Sequence, residues 1–311
     1  MRSATPRALH PICGRALVRH VMDAVDALRP RRQSVVIGPS DDDVDKEIDG
    51  AVEVVRVGSN VRYDPCAAAL TALGGWADDD LDLDVDPDDD DVLVVAASLP
   101  LLTGDTLRTL HRRHRRSDAA ATALVSDGVD RDRSAVWIVR RSLLAPALRR
   151  TERPAISALG VVLEETGHDV ATMSVGDDEL IDVRDRADLA AAEAVMRRRV
   201  NQAWMGKGVT MRDPEHTYID ASVVIEPDVS LAAGVTLAGA TSIGAGTEVG
   251  SGCHLVDTTV GDRCVLEHTS AKLASIGDHA RVGPYAVLDP GSEIAAATVT
   301  GPFYTAGPDA R

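Results

Sequence analysis

Long hydrophobic runs are missing from this chain, and so is any excess of positive charge. No stretch of about 18 apolar residues occurs, so nothing reads as a membrane-spanning helix. The N-terminus lacks the apolar centre of a secretory leader, and the expectation is a cytoplasmic protein without a membrane partner. Over 311 residues the net charge is −16 and the isoelectric point is near 4.9. A nucleic-acid binder needs a basic face to neutralise phosphates, so that class is excluded. Cysteine is scarce as well. Cys13, Cys66, Cys253 and Cys264 form no Cys-x-x-Cys pair and have no histidines at ligand spacing, which leaves no zinc site and points to buried, reduced thiols.

What is abundant is a six-residue beat between Ile219 and about Thr298. Aliphatic residues open the units at Ile219, Ile225, Leu231, Leu237, Ile243, Val249 and Leu255, then Val260 and Leu266, then Ile276, Val282, Leu288 and Ile294. Small or β-branched residues follow four positions later: Val223, Val229, Val235, Thr241, Thr247, Cys253, Cys264, Ser270, Ala280, Ala286 and Ser292. A period of six marks a parallel β-helix, in which three short strands make one coil of about 18 residues and the openers stack inward. The span holds roughly four to five such coils. An ordinary sandwich would alternate with period two and variable spacing.

The first half alternates strands and helices, which means a doubly wound α/β domain. Leu17, Val21, Val25 and Leu28 have helical spacing, and 51–57 and 66–76 read as a strand and a helix. The run 91–103 is expected to hold a strand buried on both faces of a parallel sheet. A helix follows that ends in HRRHRR (111–116), read as a solvated face, with phosphate contact as the alternative. Strands at 121–127 and 134–140, helices at 142–150 and 155–167 and a strand at 169–175 complete the domain. Between Asp78 and Asp91, ten of fourteen residues are aspartate, which reads as a solvated surface segment and not as a calcium loop. Residues 184–205 form a connecting helix with Leu189, Met196, Val200 and Trp204 on one face.

An α/β domain, a long helix and a hexapeptide β-helix occur together here with three specific segments: TPRALHPICGRALVRHVMDA (5–24), VTMRDPEHTYIDASVVIEPDV (209–229), and VGDRCVLEH with VGPYAVLDPG (260–268, 282–291). In these the chain resembles the bacterial bifunctional family that acetylates glucosamine 1-phosphate and transfers uridylyl to make UDP-N-acetylglucosamine. The resemblance implies a nucleotidyltransferase-like (Rossmann-like) domain over 1–183, a linker helix over 184–207 and a left-handed β-helix over 208–311. It also implies a homotrimer, or a mixed trimer with an active relative, and a sugar nucleotide as ligand.

The family's catalytic positions, carried over residue by residue, are altered. The phosphate-facing lysine corresponds to Arg7, and Gly14 and Asp182 are the other candidate substrate contacts. The two Mg²⁺ ligands correspond to Ser98, in Ala96-Ala97-Ser98, and Arg184, in Asp182-Val183-Arg184. A hydroxyl and a guanidinium therefore stand where the resemblance implies a metal cage, and no metal site is expected. The family's Gly-rich loop and first strand are expected to be absent, as are its later acetyl-transfer coils. The uracil-reading stretch is unrecognisable in 58–67, the sugar-reading stretch is shortened between Ser126 and Arg133, and a family arginine corresponds to Asp289.

Three functions follow. One is a non-catalytic scaffold or regulatory member with no cofactor. The alternative is an active sugar-1-phosphate nucleotidyltransferase using Mg²⁺ at an altered site that recruits Asp182 or Asp185, its start mis-assigned. The third is an acyltransferase on the coils, for which His268 or His279 would have to be the base. Together with His254, these histidines read as surface or turn residues.

Overall fold

The computed structural model describes residues 3–38, 42–48, 52–56, 69–70, 72–73, 90–127, 134–150 and 156–307. Most of the expected helix over 66–76 and of the acidic run, together with Cys66 and the stretches 58–67 and 128–133, lies outside them. Contacts divide the chain into two compact units, Met1–His10 with Ala16–Ala192, and Pro11–Arg15 with Glu193–Arg311.

The first unit is α/β. Strand β1 (Ser34–Ile37) pairs in parallel with β2 (Glu53–Arg56). A separate four-stranded sheet runs in the order β3 (Asp91–Val95), β5 (Val136–Arg140), β4 (Ala121–Ser126), β6 (Val170–Val175). The parallel sheet expected around 91–103 is corrected here. β5 runs antiparallel to both β3 and β4, and only β4 and β6 are parallel. Connection length explains this. Residues 127–135 are too few for a parallel crossover, which needs about a dozen or more. The return from β4 to β6 passes through two helices, α3 (Arg141–Arg150) and α4 (Leu159–Glu165). Nor is β3 the strand buried on both faces: among the described residues it lies at the sheet edge and is mostly half-buried, whereas β4 and β5 are buried along nearly their whole length.

Helix α1 (Leu17–Asp26) buries Leu17, Val18, Val21, Met22 and Ala24 on one stripe. Helix α2 (Gly104–Arg116) starts at Thr103, whose hydroxyl accepts from the Thr106 N–H at 3.2 Å. Its arginines crowd the C-terminal turn, where the helix dipole favours cations. The expectation of a fully solvated basic face needs one correction. Leu107, Leu110 and His114 share the buried stripe, and His114 is 3 % exposed.

The second unit carries the β-helix. Three all-parallel sheets, one of six strands and two of five, wind around a core formed by the aliphatic openers. Register partners Leu237, Leu255, Ala271 and Leu288 lie 18, 16 and 17 residues apart. Two coils are therefore short, and this corrects the assignment of inward positions. Ala271 is an opener that the six-residue count passes over, and Thr269 holds the buried corner assigned to Ser270, which is exposed. Corner hydroxyls bond backbone carbonyls that the tight turn would leave without partners. Thr241 donates to the Ala238 carbonyl at 2.7 Å, and Thr247 donates to that of Gly261 at 2.9 Å. Cys253 and Cys264 are buried corners, and burial pushes both thiols above the usual cysteine range.

Helix α5 (Arg186–Gly206) buries Ala192, Val195 and Asn201. The larger Val200 and Trp204 are half-buried against the β-helix core. Asn201 is an anchor that its polarity disguises. Its side-chain amide donates to the Pro214 and Thr217 carbonyls, at 2.7 and 2.9 Å, and so fixes the segment entering the first coil. Replacing Asn201 with alanine leaves the buried Thr217 carbonyl and the part-buried Pro214 carbonyl unmet, and a buried loss of this kind costs about 1–3 kcal/mol. We expect Asn201→Ala to lower the denaturation midpoint of the β-helix unit, measured by hydrogen exchange at residues 209–231. An unchanged exchange rate would show that the clamp contributes nothing.

Candidate functional site

The first unit contains a cavity of about 1310 Å³. Its walls are mainly aliphatic, and its polar groups gather at two ends.

One end lies past the C-terminus of β3. There the chain turns through Ala96 and Ala97 to Ser98, which is 4 % exposed. The Ser98 carbonyl accepts from the N–H of buried Val183 at 2.9 Å, which draws residues 182–184 against the turn. The Ser98 hydroxyl in turn donates to Asp182 Oδ1 at 2.6 Å. This short bond to an ionised acceptor is of the stronger, charge-assisted kind. Two positions singled out in the sequence thus meet across 84 residues. Arg7, in the short helical turn Arg7–Leu9, also lines the cavity but is itself exposed.

The other candidates lie elsewhere. Arg184 is not among the cavity-lining residues; its Nε lies 3.6 Å from Asp188 Oδ2, one helical turn along α5. The cation expected beside the metal position is therefore engaged by a carboxylate of its own. Asp185, the other candidate for recruiting a metal, is the N-terminal cap of α5. It accepts from the N–H groups of Asp188 and Ala187, and these bonds hold its carboxyl below the usual range. Gly14 belongs to the second unit. It has φ +72°, and a β-carbon there would run into the Asp220 carboxylate, so its conformation and close packing explain why glycine stands at this position. His268 and His279 sit at exposed turn positions with positive φ, and His254 is exposed on a strand. The His268 ring lies 5.0 Å from that of Tyr285. Among the described residues no carboxylate is recorded orienting any of the three rings.

The residues at the Ser98 end can be weighed against a divalent cation. Mg²⁺ takes oxygen ligands in near-octahedral geometry, commonly with one or two carboxylates besides phosphate and water. Here there is one carboxylate, and one of its oxygens is engaged by the Ser98 hydroxyl. Among the described residues no cluster of three or more His, Cys, Asp or Glu is placed to hold a metal. The donor set does not fit a two-ligand Mg²⁺ cage.

The opposite end holds a buried ion cluster that the sequence reading missed. Asp91, at the start of β3, has a side chain 8 % exposed. Its Oδ1 lies 3.3 Å from His114 Nε2, and its Oδ2 lies 3.6 Å from both His111 Nε2 and Arg115 Nη1. His114 Nδ1 is 2.8 Å from the Thr122 hydroxyl on β4, which fixes the ring. Burial pushes the Asp91 carboxyl up. The hydrogen bond and charge of His114, with the charges of Arg115 and His111, outweigh burial and hold it below the usual range. The spacing Leu107, Leu110, His114 was the available signal, since it places the histidine on the apolar stripe of α2.

Comparisons with known proteins agree with this architecture. Residues 1–170 match the family described as MobA-like NTP transferase domain. A bifunctional protein GlmU from Streptomyces avermitilis is 32% identical over 97% of this chain and 70% of its own length. One from Streptococcus gordonii is 29% identical over 97% of this chain and 72% of its own. Among the described residues no helix is long and apolar enough to cross a membrane. With a nucleotidyltransferase-like α/β unit followed by a left-handed parallel β-helix, the chain belongs to the MobA-like NTP transferase family and, within it, to the GlmU proteins.

Proposed function

We propose that this chain is a sugar-nucleotide-binding member of the family that has given up efficient uridylyl transfer and acts in the cytoplasm as a scaffold or regulatory partner. The ligand is of the UDP-N-acetylglucosamine class, and the assembly is a trimer, either of identical copies or shared with an active relative. The observation that carries this is the closed Ser98–Asp182 pair. At that place a transferase needs charge opposite the developing pyrophosphate. The chain offers one carboxylate already engaged by a hydroxyl. Arg7 keeps a cation in the cavity lining for a phosphate, although without the ammonium's point-charge geometry.

The second reading is an active enzyme whose carboxylate has moved to Asp182. The same pair supports it in one respect, since Asp182 brings an acidic oxygen beside the position that Ser98 occupies. One experiment separates the two readings. Purified chain is incubated with UTP, N-acetylglucosamine 1-phosphate and either Mg²⁺ or Mn²⁺, and pyrophosphate release is followed. Calorimetry with UDP-N-acetylglucosamine runs in parallel. We expect binding in the micromolar to millimolar range and release far below the roughly 1–10³ per second typical of enzymes. Metal-dependent release at typical rates would establish the second reading. Absence of both binding and release would remove the nucleotide from either. Light scattering reads the assembly against the 32.8 kDa of one copy, and a monomer would dismiss the trimer.

A further inference from the structure

Helix α2 presents a row of arginines that the nucleotide reading does not use. Arg108, Arg112 and Arg116 stand four residues apart, with Arg113 and Arg115 beside them, and all five are exposed. Residues four apart share one side of a helix and lie about 6 Å apart along it. The chain as a whole carries a net charge of −16, so the row is a local reversal of sign. Its neighbours leave much of it unengaged. Arg108 bonds the Ala27 carbonyl and Asp105, whose side chain is 89% exposed. Arg112 donates to the Thr109 hydroxyl at 3.2 Å. Among the described residues no carboxylate lies within ion-pair distance of Arg112, Arg113 or Arg116.

The acidic run ends at the foot of this row. Asp91, its last residue, has Oδ2 3.6 Å from Arg115 Nη1. Asp90 lies 3.4 Å from Arg141 and 3.8 Å from Arg31. Upstream, residues 80–86 read Asp-Leu-Asp-Leu-Asp-Val-Asp. Side chains of an extended chain alternate between two sides, so Asp80, Asp82, Asp84 and Asp86 would share one side, about 6.7 Å apart. That step is close to the about 6 Å step of the arginine row. A helix would scatter the same four carboxylates around its axis. Asp86 is four residues from Asp90, about 13 Å of extended chain, which is ample to start on a row whose foot Asp91 already touches.

We propose that the arginine row of α2 is the docking surface for this chain's own segment 80–86, which lies extended along the helix with its alternating carboxylates on Arg108, Arg112 and Arg116. The planar guanidinium fork suits carboxylates, which it can bind through two parallel hydrogen bonds. Single exposed ion pairs are weak. Several of them hold here because the segment is tethered at Asp90, and a short tether supplies an effective concentration of about 1 mM. Docked in this way, the segment competes with any other anion for the row, phosphate groups included. A carboxylate-rich partner polypeptide would have to displace it. Nucleotide binding plays no part in this contact.

The test uses the full chain and a synthetic peptide, Asp-Leu-Asp-Leu-Asp-Val-Asp, carrying a neutral dye. Binding is read by fluorescence anisotropy at about 10 mM salt, where screening is slight. One variant replaces Asp80, Asp82, Asp84 and Asp86 with asparagine and so vacates the row. A second adds Arg108→Gln, Arg112→Gln and Arg116→Gln to it. With a peptide Kd of about 0.1 mM for the vacated row and a tethered competitor at about 1 mM, the natural chain binds the peptide roughly tenfold more weakly than the first variant. We expect that tenfold difference, and loss of binding in the second variant. A block peptide of the same composition, Leu-Leu-Val-Asp-Asp-Asp-Asp, should bind the first variant several-fold more weakly, because its carboxylates do not keep the step of the row. Equal binding by the natural chain and the first variant would show that the segment does not occupy the row. No binding by the first variant would show that the row does not take carboxylates. Equal binding of the block peptide would reduce the contact to net charge. Preference of the first variant for inorganic tripolyphosphate over the peptide would make the row a phosphate site. Each of these four results overturns the proposal, and failure of UDP-N-acetylglucosamine to bind leaves it untouched.

Discussion

Replacing Ser98 with aspartate is expected to raise the metal-dependent pyrophosphate release of this chain. The substitution sets a second carboxylate beside Asp182, whose Oδ1 the Ser98 hydroxyl now reaches at 2.6 Å. Two carboxylates at that separation cannot both stay ionised without a cation, so one proton is held or a divalent ion is recruited. With Mn²⁺ or Mg²⁺ present, the ion neutralises both and offers a charge to the leaving phosphates. Stabilisation of developing charge by one such element is worth roughly 10²–10³-fold in rate. We expect Ser98→Asp to release pyrophosphate about 10²-fold faster than the natural chain, with the gain abolished by EDTA. A thermal-shift series gives an independent readout. The variant should melt lower than the natural chain without metal and recover with millimolar Mg²⁺, and the natural chain should be indifferent to Mg²⁺. Ser98→Ala completes the set, since it frees the Asp182 oxygen without adding charge. If Ser98→Ala lost about 10²-fold of a substantial natural activity, the pair would itself be the catalytic centre and the scaffold reading would fall.

The β-helix was legible because each coil repeats the same physical demand. An aliphatic residue must point inward and a small one must fit the corner, so a dozen units reinforce one another. The reading slipped only where coils are short. Ala271 is too small to announce itself as an opener, and Ser270 took the corner that Thr269 holds. In the α/β unit the elements were legible but not their directions. Val92–Val95 looks like an interior strand by composition, and nothing local says that a short connection forces β5 to run backwards between β3 and β4. The site shows the same limit more sharply. Ser98 and Asp182 were each singled out by neighbouring motif residues, but their bond spans 84 residues and depends on Val183 docking under the turn. Arg184 was placed at the metal position by resemblance, and its ion pair with Asp188 is a local contact that the motif does not announce. Asn201 and Asp91 went unseen because polar residues in polar surroundings carry no periodic signal of burial.

The largest expected loss of stability comes from Asp91. Its carboxylate is enclosed by His114, His111 and Arg115, with His114 itself pinned to Thr122. Asparagine keeps the shape but removes the charge that Arg115 and the two histidines face. Of its partners only His114 is buried, His111 and Arg115 being about half exposed, so neutralising Asp91 is expected to cost about 3 kcal/mol, the low end of the range for breaking a buried pair. The pH dependence has a definite sign. The Asp91 carboxyl is held below its ordinary value of 3.8 in the folded chain, so its contribution is complete above that value and fades as pH falls through the folded value. The gap between the natural chain and Asp91→Asn should therefore be widest near neutrality and close towards pH 3. Urea unfolding read at buried Trp137, with Trp76 and Trp204 replaced by phenylalanine, isolates the first unit from the second. A gap that stayed constant from neutrality to pH 3 would mean that the substitution acts through packing and not through the charge. A gap below about 1 kcal/mol at neutrality would place the cluster with ordinary exposed ion pairs.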